Sequence, residues 1–366
     1  MASALFQPIT LRDLTLKNRL VISPMCQFSA VHGEATDWHV MHFGRMMASG
    51  AGLFILEATA VEPRGRITPD CLGLWSDETE AALGRALEPA RRYFDMPIGI
   101  QLCHAGRKAS THRPFAGSGP LKPEDGAWET IGPSAVPWAE NWHVPRAMTR
   151  ADMDEVIAAF VDATRRADRL GFDLIELHAA HGYLLSAFLS PLANHRADEY
   201  GGSPENRMRF PLEVFEAVRA AWPQEKPLGV RVNGTDWHEH GITVDDAVAF
   251  ARALKERGCD YIDVSSGGNA YVKVPIGPGY QVPYAERIKA EVGITTIAVG
   301  LITEPQQAEE VVASGRADMV AVARAVLNNP HWPWWAAEVL GGRVDVPWQY
   351  YRAATRTGVP PPYAVK

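Results

Sequence analysis

The sequence predicts an α/β protein, and within that class a single (β/α)8 TIM barrel formed by residues 1–366. Eight short apolar runs recur along the chain, each nearly uninterrupted, as expected for strands covered on both faces. Segments of helical periodicity lie between them, so strand and helix alternate, and eight strands can close a parallel barrel. The predicted strands are Leu20–Ser23, Gly52–Val61, Ile98–Cys103, Leu174–His178, Leu228–Asn233, Tyr261–Ser265, Thr295–Val299 and Met319–Val322.

The helices between these strands begin with recognisable signals. A Thr or Ser followed by an acidic or amide residue three positions later, or by a proline, is typical of a helix start. Such pairs are Thr149 with Asp152, Thr243 with Asp246, Thr303 with Gln306, and Ser203 with Pro204. After the first pair, apolar residues from Val156 to Leu170 fall on one helical face, and Gly171 is predicted to end that helix.

Two segments fall outside the alternation. Residues 107–150 are rich in Pro, Gly and Trp and are predicted to cap the barrel mouth after the third strand. The tail, residues 341–366, is too polar to form its own core and is expected to lie on a neighbouring subunit. An open doubly wound sheet is the alternative architecture. Its dinucleotide-binding form is disfavoured because no Gly-x-Gly-x-x-Gly turn follows the first strand.

Composition narrows the class of function. A net charge of −7, a pI near 6.0 and the lack of a basic block argue against nucleic acid or an anionic membrane as the main partner. No signal peptide and no apolar run of about 18 residues occur, so a cytoplasmic location is expected. The four cysteines are far apart and form no Cys-x-x-Cys pair, which suggests neither a zinc site nor a cysteine-held iron–sulfur cluster.

The main chemical cluster follows the fourth predicted strand, where His178, His181 and Tyr183 lie within six residues. In a barrel the C-terminal ends of the strands share the catalytic face. Two imidazoles can hold a carbonyl oxygen and a phenol can offer a proton, which suits the polarisation of an unsaturated carbonyl compound. A metal site on the two histidines is the weaker alternative, because the chain has no second carboxylate–histidine set beyond the ambiguous His39-x-x-His42.

Two further features indicate an anionic or electron-rich ligand. Arg231 lies inside the apolar run of the fifth strand, where a buried cation needs such a partner. An ion pair with Glu57 or Glu176 inside the barrel would serve equally well. Gly300 and the pair Ala323-Arg324 follow the seventh and eighth strands, where phosphate sites are frequent in barrels.

Together these motifs resemble the old yellow enzyme family of flavin-dependent ene-reductases, and specifically its thermophilic-like, xenobiotic-reductase subgroup. The resemblance covers nearly the whole chain. It rests on Ser23-Pro24-Met25-Cys26-Gln27, on His104-Ala-Gly-Arg107-Lys108-Ala109, and on the run from His178 through Asn194-His195-Arg196 to Tyr200-Gly-Gly-Ser203-Pro-Glu-Asn206-Arg207.

The resemblance implies FMN held non-covalently across the barrel mouth, with NADPH as the reductant. The implied cofactor-binding residues are Ser23, Pro24, Met25 and Cys26 along one side of the flavin, Ala58 and Gln101 at its polar edge, Arg231 at N1 and O2, and Val299, Gly300, Ala323 and Arg324 toward the phosphate. His178 and His181 would hold the acceptor's oxygen during hydride transfer from flavin N5 to its β-carbon. Tyr183 or solvent would then protonate the α-carbon.

The acceptor implied by the resemblance is a small electron-poor alkene, quinone or nitro compound. Phe28 stands where many members of the subgroup have tyrosine, so a hydroxyl that could bond the substrate is missing. Ala323 replaces a more usual glycine, and its methyl should be tolerated. Arg352 resembles an arginine that related enzymes extend into a neighbour's active site, which predicts a homodimer or homotetramer. A metal-dependent barrel hydrolase and a non-catalytic flavin-binding module are the alternative functions.

Overall fold

The computed structural model describes residues 2–350, which form a closed barrel of eight parallel strands with helices around it, as predicted. The strands are β1 (Ile9–Leu11), β2 (Leu14–Leu16), β3 (Leu20–Ile22), β4 (Leu53–Ala60), β5 (Ile98–Cys103), β6 (Ile131–Gly132), β7 (Arg146–Ala147), β8 (Leu174–Ala179), β9 (Leu228–Asn233), β10 (Tyr261–Ser265), β11 (Thr295–Ala298) and β12 (Met319–Val322). Strands β1 and β2 form a separate hairpin and β6 and β7 a separate pair, and the others follow one another around the barrel until β12 pairs with β3.

Helices follow the barrel strands and cover their outer faces. They are α1 (Asp37–Met47), α2 (Asp77–Arg91), α3 (Arg150–Arg169), α4 (Leu184–Leu189), α5 (Pro204–Ala221), α6 (Val244–Glu256), α7 (Val282–Val292), α8 (Pro305–Ala313), α9 (Arg324–Asn328) and α10 (Trp332–Leu340). Among the described residues, no helix combines the length and apolarity needed to cross a membrane.

Helix α3 shows how local sequence sets an element. The Thr149 hydroxyl accepts a hydrogen bond from the Asp152 backbone, and the Asp152 carboxylate accepts one from the Thr149 backbone, so the predicted capping box is present. Such a cap contributes about 1 kcal/mol. Val156 and Phe160 are among the residues buried on the inner face, and Gly171, with φ of +69°, follows the helix in the left-handed region.

One predicted helix start is wrong. Thr303 does not cap α8, whose first residue is Pro305 and whose N-cap is Glu304. The backbone N–H of Thr303 instead donates to the side chain of Gln307 at 3.2 Å. Proline at the first helical position fixes the start of the helix, because its fixed φ suits that position and no N–H is needed there. Several predicted strands also differ by one residue at an end, and Ser23 and Val299 lie just beyond β3 and β11.

The barrel is blocked at its N-terminal end. Leu11 and Leu16 of the β1–β2 hairpin are buried in one apolar cluster with the barrel residues Val21, Leu53 and Ile297. This packing fills the interior from below. The C-terminal ends of the strands therefore provide the open mouth, as in other barrels of this type.

The segment 107–150 is anchored at that mouth. The buried guanidinium of Arg107 donates to the carbonyls of Val136 and Pro137 at 3.3 and 3.2 Å, and to that of Asn269 at 2.6 Å. These bonds join the segment to the loop that follows β10. The insertion therefore lies beside the C-terminal ends of the strands.

Candidate active site

His178, His181 and Tyr183 come together at the end of β8. The His178 ring stands edge to face with both partners, with centroids 5.0 Å from His181 and 4.8 Å from Tyr183. His181 and Gly182 have φ of +60° and +74°, so the chain turns sharply between the strand and α4. The His181 backbone N–H donates to Asn233 at 3.0 Å, which fixes this turn against the end of β9.

A chain of hydrogen bonds sets the protonation of the two imidazoles. His178 Nδ1 accepts from the Ala180 backbone at 3.2 Å, so in the neutral ring Nε2 carries the proton. His178 Nε2 lies 3.3 Å from His181 Nδ1, and His181 Nε2 lies 2.6 Å from the Ser265 hydroxyl. That hydroxyl is 3.3 Å from the Gln281 amide oxygen. Both rings can thus be neutral with every nitrogen partnered.

The electrostatic surroundings favour neutral rings and a neutral phenol. Burial and the nearby Arg231 charge lower the pKa of His178 and of His181 well below the ordinary value. Burial raises the pKa of Tyr183 well above its ordinary value, and neighbouring thiols add to this. At neutral pH the cluster therefore offers N–H and O–H donors without positive charge of its own. Within residues 2–350 the Tyr183 hydroxyl makes no hydrogen bond of its own.

Below these rings lies a layer of polar residues on neighbouring strands. Gln101 on β5 is in register with Glu176 on β8, and its amide donates to that carboxyl at 2.8 Å. Arg231 on β9 is in register with His178 on one side and with Asp263 on the other. Because parallel strands set these residues at one level, they form a continuous polar floor under the barrel mouth.

Arg231 pairs with neither Glu57 nor Glu176, the two partners that the sequence suggested, but with Asp263. Its Nε lies 3.3 Å from a carboxylate oxygen of Asp263. Glu57 is excluded as partner, because a bulge in β4 turns it toward α1, where its two carboxylate oxygens contact the Gln27 backbone at 2.9 Å and His39 at 3.4 Å. Glu176 is near enough to Arg231 to interact with its charge, but makes no ion pair with it in the described structure.

The two buried carboxyls compete for a single cation. Burial, together with the neighbouring Asp263, raises the pKa of Glu176 to about 8, although the Arg231 charge opposes the shift. Burial also raises the pKa of Asp263, again opposed by Arg231. We therefore assign the negative charge to Asp263, which touches the guanidinium, and the proton to Glu176.

A cavity of about 740 Å³, partly open to solvent, begins at this floor and runs across the mouth. The predicted site residues that line it are Ser23, Pro24, His181, Arg231, Val299, Gly300, Ala323 and Arg324. Gly300 has φ of +129°, and a Cβ there would lie 3.2 Å from the Gln281 backbone nitrogen, so the wall requires glycine. Within the described residues, Arg324 is exposed and forms no ion pair.

This lining fits FMN. One end of the cavity holds the Arg231 guanidinium, whose Nη1 is 3.4 Å from the Ser23 hydroxyl. Its Nε, although 3.3 Å from Asp263, makes no well-aligned hydrogen bond. The other end holds Gly300 and the unpaired Arg324, which suit a phosphate. The cavity thus joins a cationic site for an electron-rich ring to a cationic site for a phosphate.

The remaining predicted cofactor residues lie around this cavity rather than in its lining. Ala58 pairs with Gln101 across β4 and β5. Met25 and Cys26 follow Pro24, and both are partly buried. Burial and the nearby Cys71, Glu57 and Cys103 raise the pKa of the Cys26 thiol well above its ordinary value, so it stays a thiol.

Phe28, a predicted substrate residue, packs against the insertion. Its ring meets that of Phe115 edge to face at 6.2 Å, and its φ is +50°. Arg352, the other predicted substrate residue, lies outside the described residues. The structure therefore adds a contact for Phe28, whereas the role of Arg352 stays a prediction.

Sequence reasoning missed several residues of this site. Asp263 and Ser265 on β10, Gln281 before α7, and Lys108 after β5 were not assigned. Lys108 donates to the His181 carbonyl at 2.7 Å and so holds the turn between His178 and Tyr183. The signals were present, since Asp263 is a charge within an apolar strand, Ser265 ends a barrel strand, and Lys108 lies within a motif of the resemblance.

The geometry gives the metal alternative little support. His178 Nδ1 is occupied by the Ala180 backbone N–H. In the second histidine pair, His39 on α1 contacts Glu57 and Thr36. No group of three or more side chains that could bind a metal forms anywhere in residues 2–350.

Comparison with known proteins identifies the family. Residues 4–340 match the model of the NADH:flavin oxidoreductase / NADH oxidase family. The chain is 48% identical over 354 residues to an NADPH dehydrogenase of Geobacillus sp. (strain WCH70), covering 96% of this chain and 99% of that protein. It is 42% identical over 354 residues to an NADPH dehydrogenase of Bacillus subtilis (strain 168), with the same coverage. Morphinone reductase has a similar structure, with a TM-score of 0.77 and 26% identity over 94% of this chain and 91% of that one.

These findings show that the protein is an oxidoreductase whose cofactor is FMN. The cavity at the barrel mouth, whose lining suits FMN, agrees with them. The chain therefore belongs to the NADH:flavin oxidoreductase / NADH oxidase family, the old yellow enzymes.

Proposed function

We propose that this FMN-dependent oxidoreductase takes electrons from NADPH and reduces the activated C=C bond of α,β-unsaturated carbonyl, quinone or nitro compounds. The observation that carries the proposal is the convergence of two neutral imidazoles and a protonated phenol at the end of β8, where His181 lines the cavity that fits FMN. Relatives 42–48% identical are NADPH dehydrogenases, which supports the choice of reductant.

The two imidazoles are placed to hold the acceptor's oxygen. His178 Nε2 and His181 Nδ1 are 3.3 Å apart, and both can carry protons if the Ser265 hydroxyl donates to His181 Nε2 instead of accepting from it. An oxygen bound between the two N–H groups would then receive two hydrogen bonds. These bonds strengthen as the oxygen gains negative charge, so they lower the barrier to hydride addition.

When bound, FMN would supply hydride transfer between NADPH and the acceptor, and Arg231, Gly300 and Arg324 would hold it. Arg231, paired with Asp263 at 3.3 Å, would place positive charge at the end of the cavity that suits an electron-rich ring. Tyr183 keeps its proton because burial raises the pKa of its phenol, and its free hydroxyl can protonate the α-carbon. Solvent can replace this donor, whereas nothing else in the described site replaces both imidazoles.

An anaerobic flavin titration tests the proposal. The FMN-loaded protein should lose its flavin absorbance on addition of NADPH and regain it on addition of 2-cyclohexenone. The rates of turnover with NADPH and with NADH, compared at the same acceptor concentration, identify the preferred nicotinamide. A protein that cannot bind FMN, or a flavin that NADPH reduces but no electron-poor alkene, quinone or nitro compound reoxidises, would refute the proposal and favour a non-catalytic flavin-binding module.

We also propose that the enzyme is a homodimer or homotetramer in which Arg352 reaches the neighbouring active site. Support comes from α10, where Trp335 and Val339, about one helical turn apart, are 38% and 41% exposed, and from Trp348 of the tail, which is 63% exposed. Large apolar side chains exposed together are typical of an interface. Sedimentation of the wild-type protein tests the assembly. Arg352→Ala should lower the affinity for the acceptor and leave the oligomer intact.

A further inference from the structure

A second cavity lies beside the catalytic turn, on the side of the insertion. It has about 1060 Å³ of space, partly open to solvent, between the loop after β4, the insertion and the loop after β10. We call it the side cavity. Its lining residues are Ile67, Thr68, Lys108, Thr111, His112, Pro114, Ser118, Gly119, Trp138, Ala139, Trp142 and Tyr271.

Aromatic rings dominate one wall of the side cavity. Trp138 and Trp142 pack edge to face at 4.4 Å, and Tyr271 stands at 87° to Trp138 at 6.2 Å. Tyr271 is 87% exposed, so a large aromatic ring faces the opening without cover. Single exposed aromatics are common on protein surfaces, but three that share one concave wall offer faces and edges on which a flat ring can stack.

Trp138, the ring of the wall that contacts both of the others, is fixed in place. The Trp138 indole N–H donates to the Gly268 carbonyl at 2.7 Å, and the same carbonyl accepts from Lys108 at 3.1 Å. Pro114, also in the lining, precedes Phe115, whose ring contacts Phe28. A wall held in this way needs little ordering when a ligand binds, which favours affinity.

Lys108 connects the side cavity to the catalytic residues. Its ammonium lies 4.8 Å from the Trp138 ring and 5.1 Å from the Tyr183 ring, and it donates to the His181 carbonyl. One side chain therefore touches the aromatic wall, the proton donor and the turn that carries the imidazole. An acceptor held between His178 and His181 would have to pass Lys108 to reach the side cavity.

We propose that the side cavity binds a flat, apolar aromatic substituent on the β-carbon side of the acceptor, so that the enzyme prefers aryl-substituted electron-poor alkenes to small ones. This inference rests on the proposed function. Stacking of an aromatic group on such a wall adds to the free energy gained from the apolar area it buries.

The charges in the side cavity favour an apolar ring over the nucleotide part of NADPH. Lys108 and His112 are the only basic side chains among the lining residues that the structure describes. Burial lowers the pKa of Lys108 to about 7, and His112 faces Asp125 at 3.7 Å. The neighbouring Arg113 is engaged by Asp70 at 3.4 Å. A dinucleotide carries phosphates that need stronger cationic partners than these.

The test compares two acceptors with the same reacting group, 3-penten-2-one and 4-(2-naphthyl)-3-buten-2-one, on the FMN-loaded enzyme. Trp142→Ala and Tyr271→Ala remove wall rings that make no side-chain hydrogen bond in the described structure. We expect the KM for the naphthyl enone to rise about tenfold, as loss of a stacking partner and its buried area predicts. The KM values for 3-penten-2-one and for NADPH should stay within about twofold.

Tyr93→Ala is the matched control, since Tyr93 is 67% exposed and lies just before the N-terminal end of β5, away from the mouth. Equilibrium binding of phenol and of 4-phenylphenol to the oxidised enzyme, followed by flavin absorbance, gives a readout without turnover. The Trp142→Ala and Tyr271→Ala variants should bind 4-phenylphenol more weakly, while their affinity for phenol should be unchanged.

Three results would overturn the inference. In the first, neither variant changes the KM for the naphthyl enone. In the second, the KM values for both acceptors rise equally. In the third, only the KM for NADPH changes, which would place the nucleotide in the side cavity. In each case continued reduction of 3-penten-2-one by the wild-type enzyme would leave the proposed function standing. Failure of the wild-type enzyme on every acceptor would instead reject the function itself.

Discussion

His178 Nε2 lies 3.3 Å from His181 Nδ1, and the two rings stand edge to face with centroids 5.0 Å apart. Two imidazole nitrogens at this separation can hydrogen-bond one another in the free enzyme or share a third atom placed between them. The protonation of His181 decides which occurs, and Ser265, at 2.6 Å from its other nitrogen, controls that protonation.

Removal of one imidazole should strongly slow the reduction of the acceptor. In His178→Ala the acceptor oxygen loses one donor, so the rate of enone reduction should fall by about 30-fold or more, equivalent to about 2 kcal/mol or more. Reduction of the flavin by NADPH should change less. Stopped-flow measurement of the two half-reactions checks this, and an unchanged rate of enone reduction would show that His178 does not hold the oxygen.

Loss of the phenol should have a milder effect. Tyr183→Phe keeps the ring that stands 4.8 Å from His178 and removes only the hydroxyl. The oxidative half-reaction should slow by about tenfold, because solvent can still deliver the proton. The solvent isotope effect on that half-reaction should also change. A loss as large as that of His178→Ala would mean that the phenol also binds the acceptor.

Ser265 should act through the histidine rather than on the substrate. In Ser265→Ala, His181 Nε2 has no hydroxyl that can donate to it, so the proton on Nδ1 is no longer favoured. Affinity for phenols and the rate of enone reduction should both fall about threefold to tenfold, the scale of one hydrogen bond. Ser265→Thr retains the hydroxyl and should recover most of the loss. Equal defects in both variants would indicate a packing effect.

Glu176 should make stability depend on pH. Because its pKa is about 8 in the folded protein and its ordinary value is 4.5, the folded state keeps a proton that the unfolded chain releases. The free energy of unfolding should therefore fall as pH rises from about 5 to about 8, by an amount on the order of 3 kcal/mol.

Glu176→Gln mimics the protonated form and keeps an acceptor for Gln101. Thermal unfolding at pH 5.5 and pH 8 should show a smaller decrease in Tm for this variant than for the wild type. A parallel decrease in both proteins would show that Glu176 is ionised in the folded state, contrary to the assignment made from the polar floor.

Much of the fold follows from local patterns in the sequence. Apolar runs predict the eight strands, because a strand covered on both faces needs apolar side chains throughout. The caps at Thr149, Ser203 and Thr243 are predicted because the bonds that make them join residues three positions apart. Thr303 shows the limit, since the following Pro305 moved the helix start beyond it.

The location of the cluster at His178 was also predictable, because in a parallel barrel every strand ends at the same mouth. Pairings across the barrel were not predictable from the sequence. Arg231 could equally have met Glu57 or Glu176, and its contact with Asp263 depends on the register of β9 with β10. The bulge in β4 turned Glu57 away, and nothing in the local sequence announces that bulge.

The sequence by itself determined the strands, the helix caps at Thr149, Ser203 and Thr243, the barrel and the family, because each depends on neighbours in the chain or on motifs read in order. Only the tertiary structure decided which carboxyl pairs with Arg231, how Ser265 governs His181, and that Lys108 joins the catalytic turn to an aromatic wall. These relationships depend on strand register and loop packing between residues far apart in the chain.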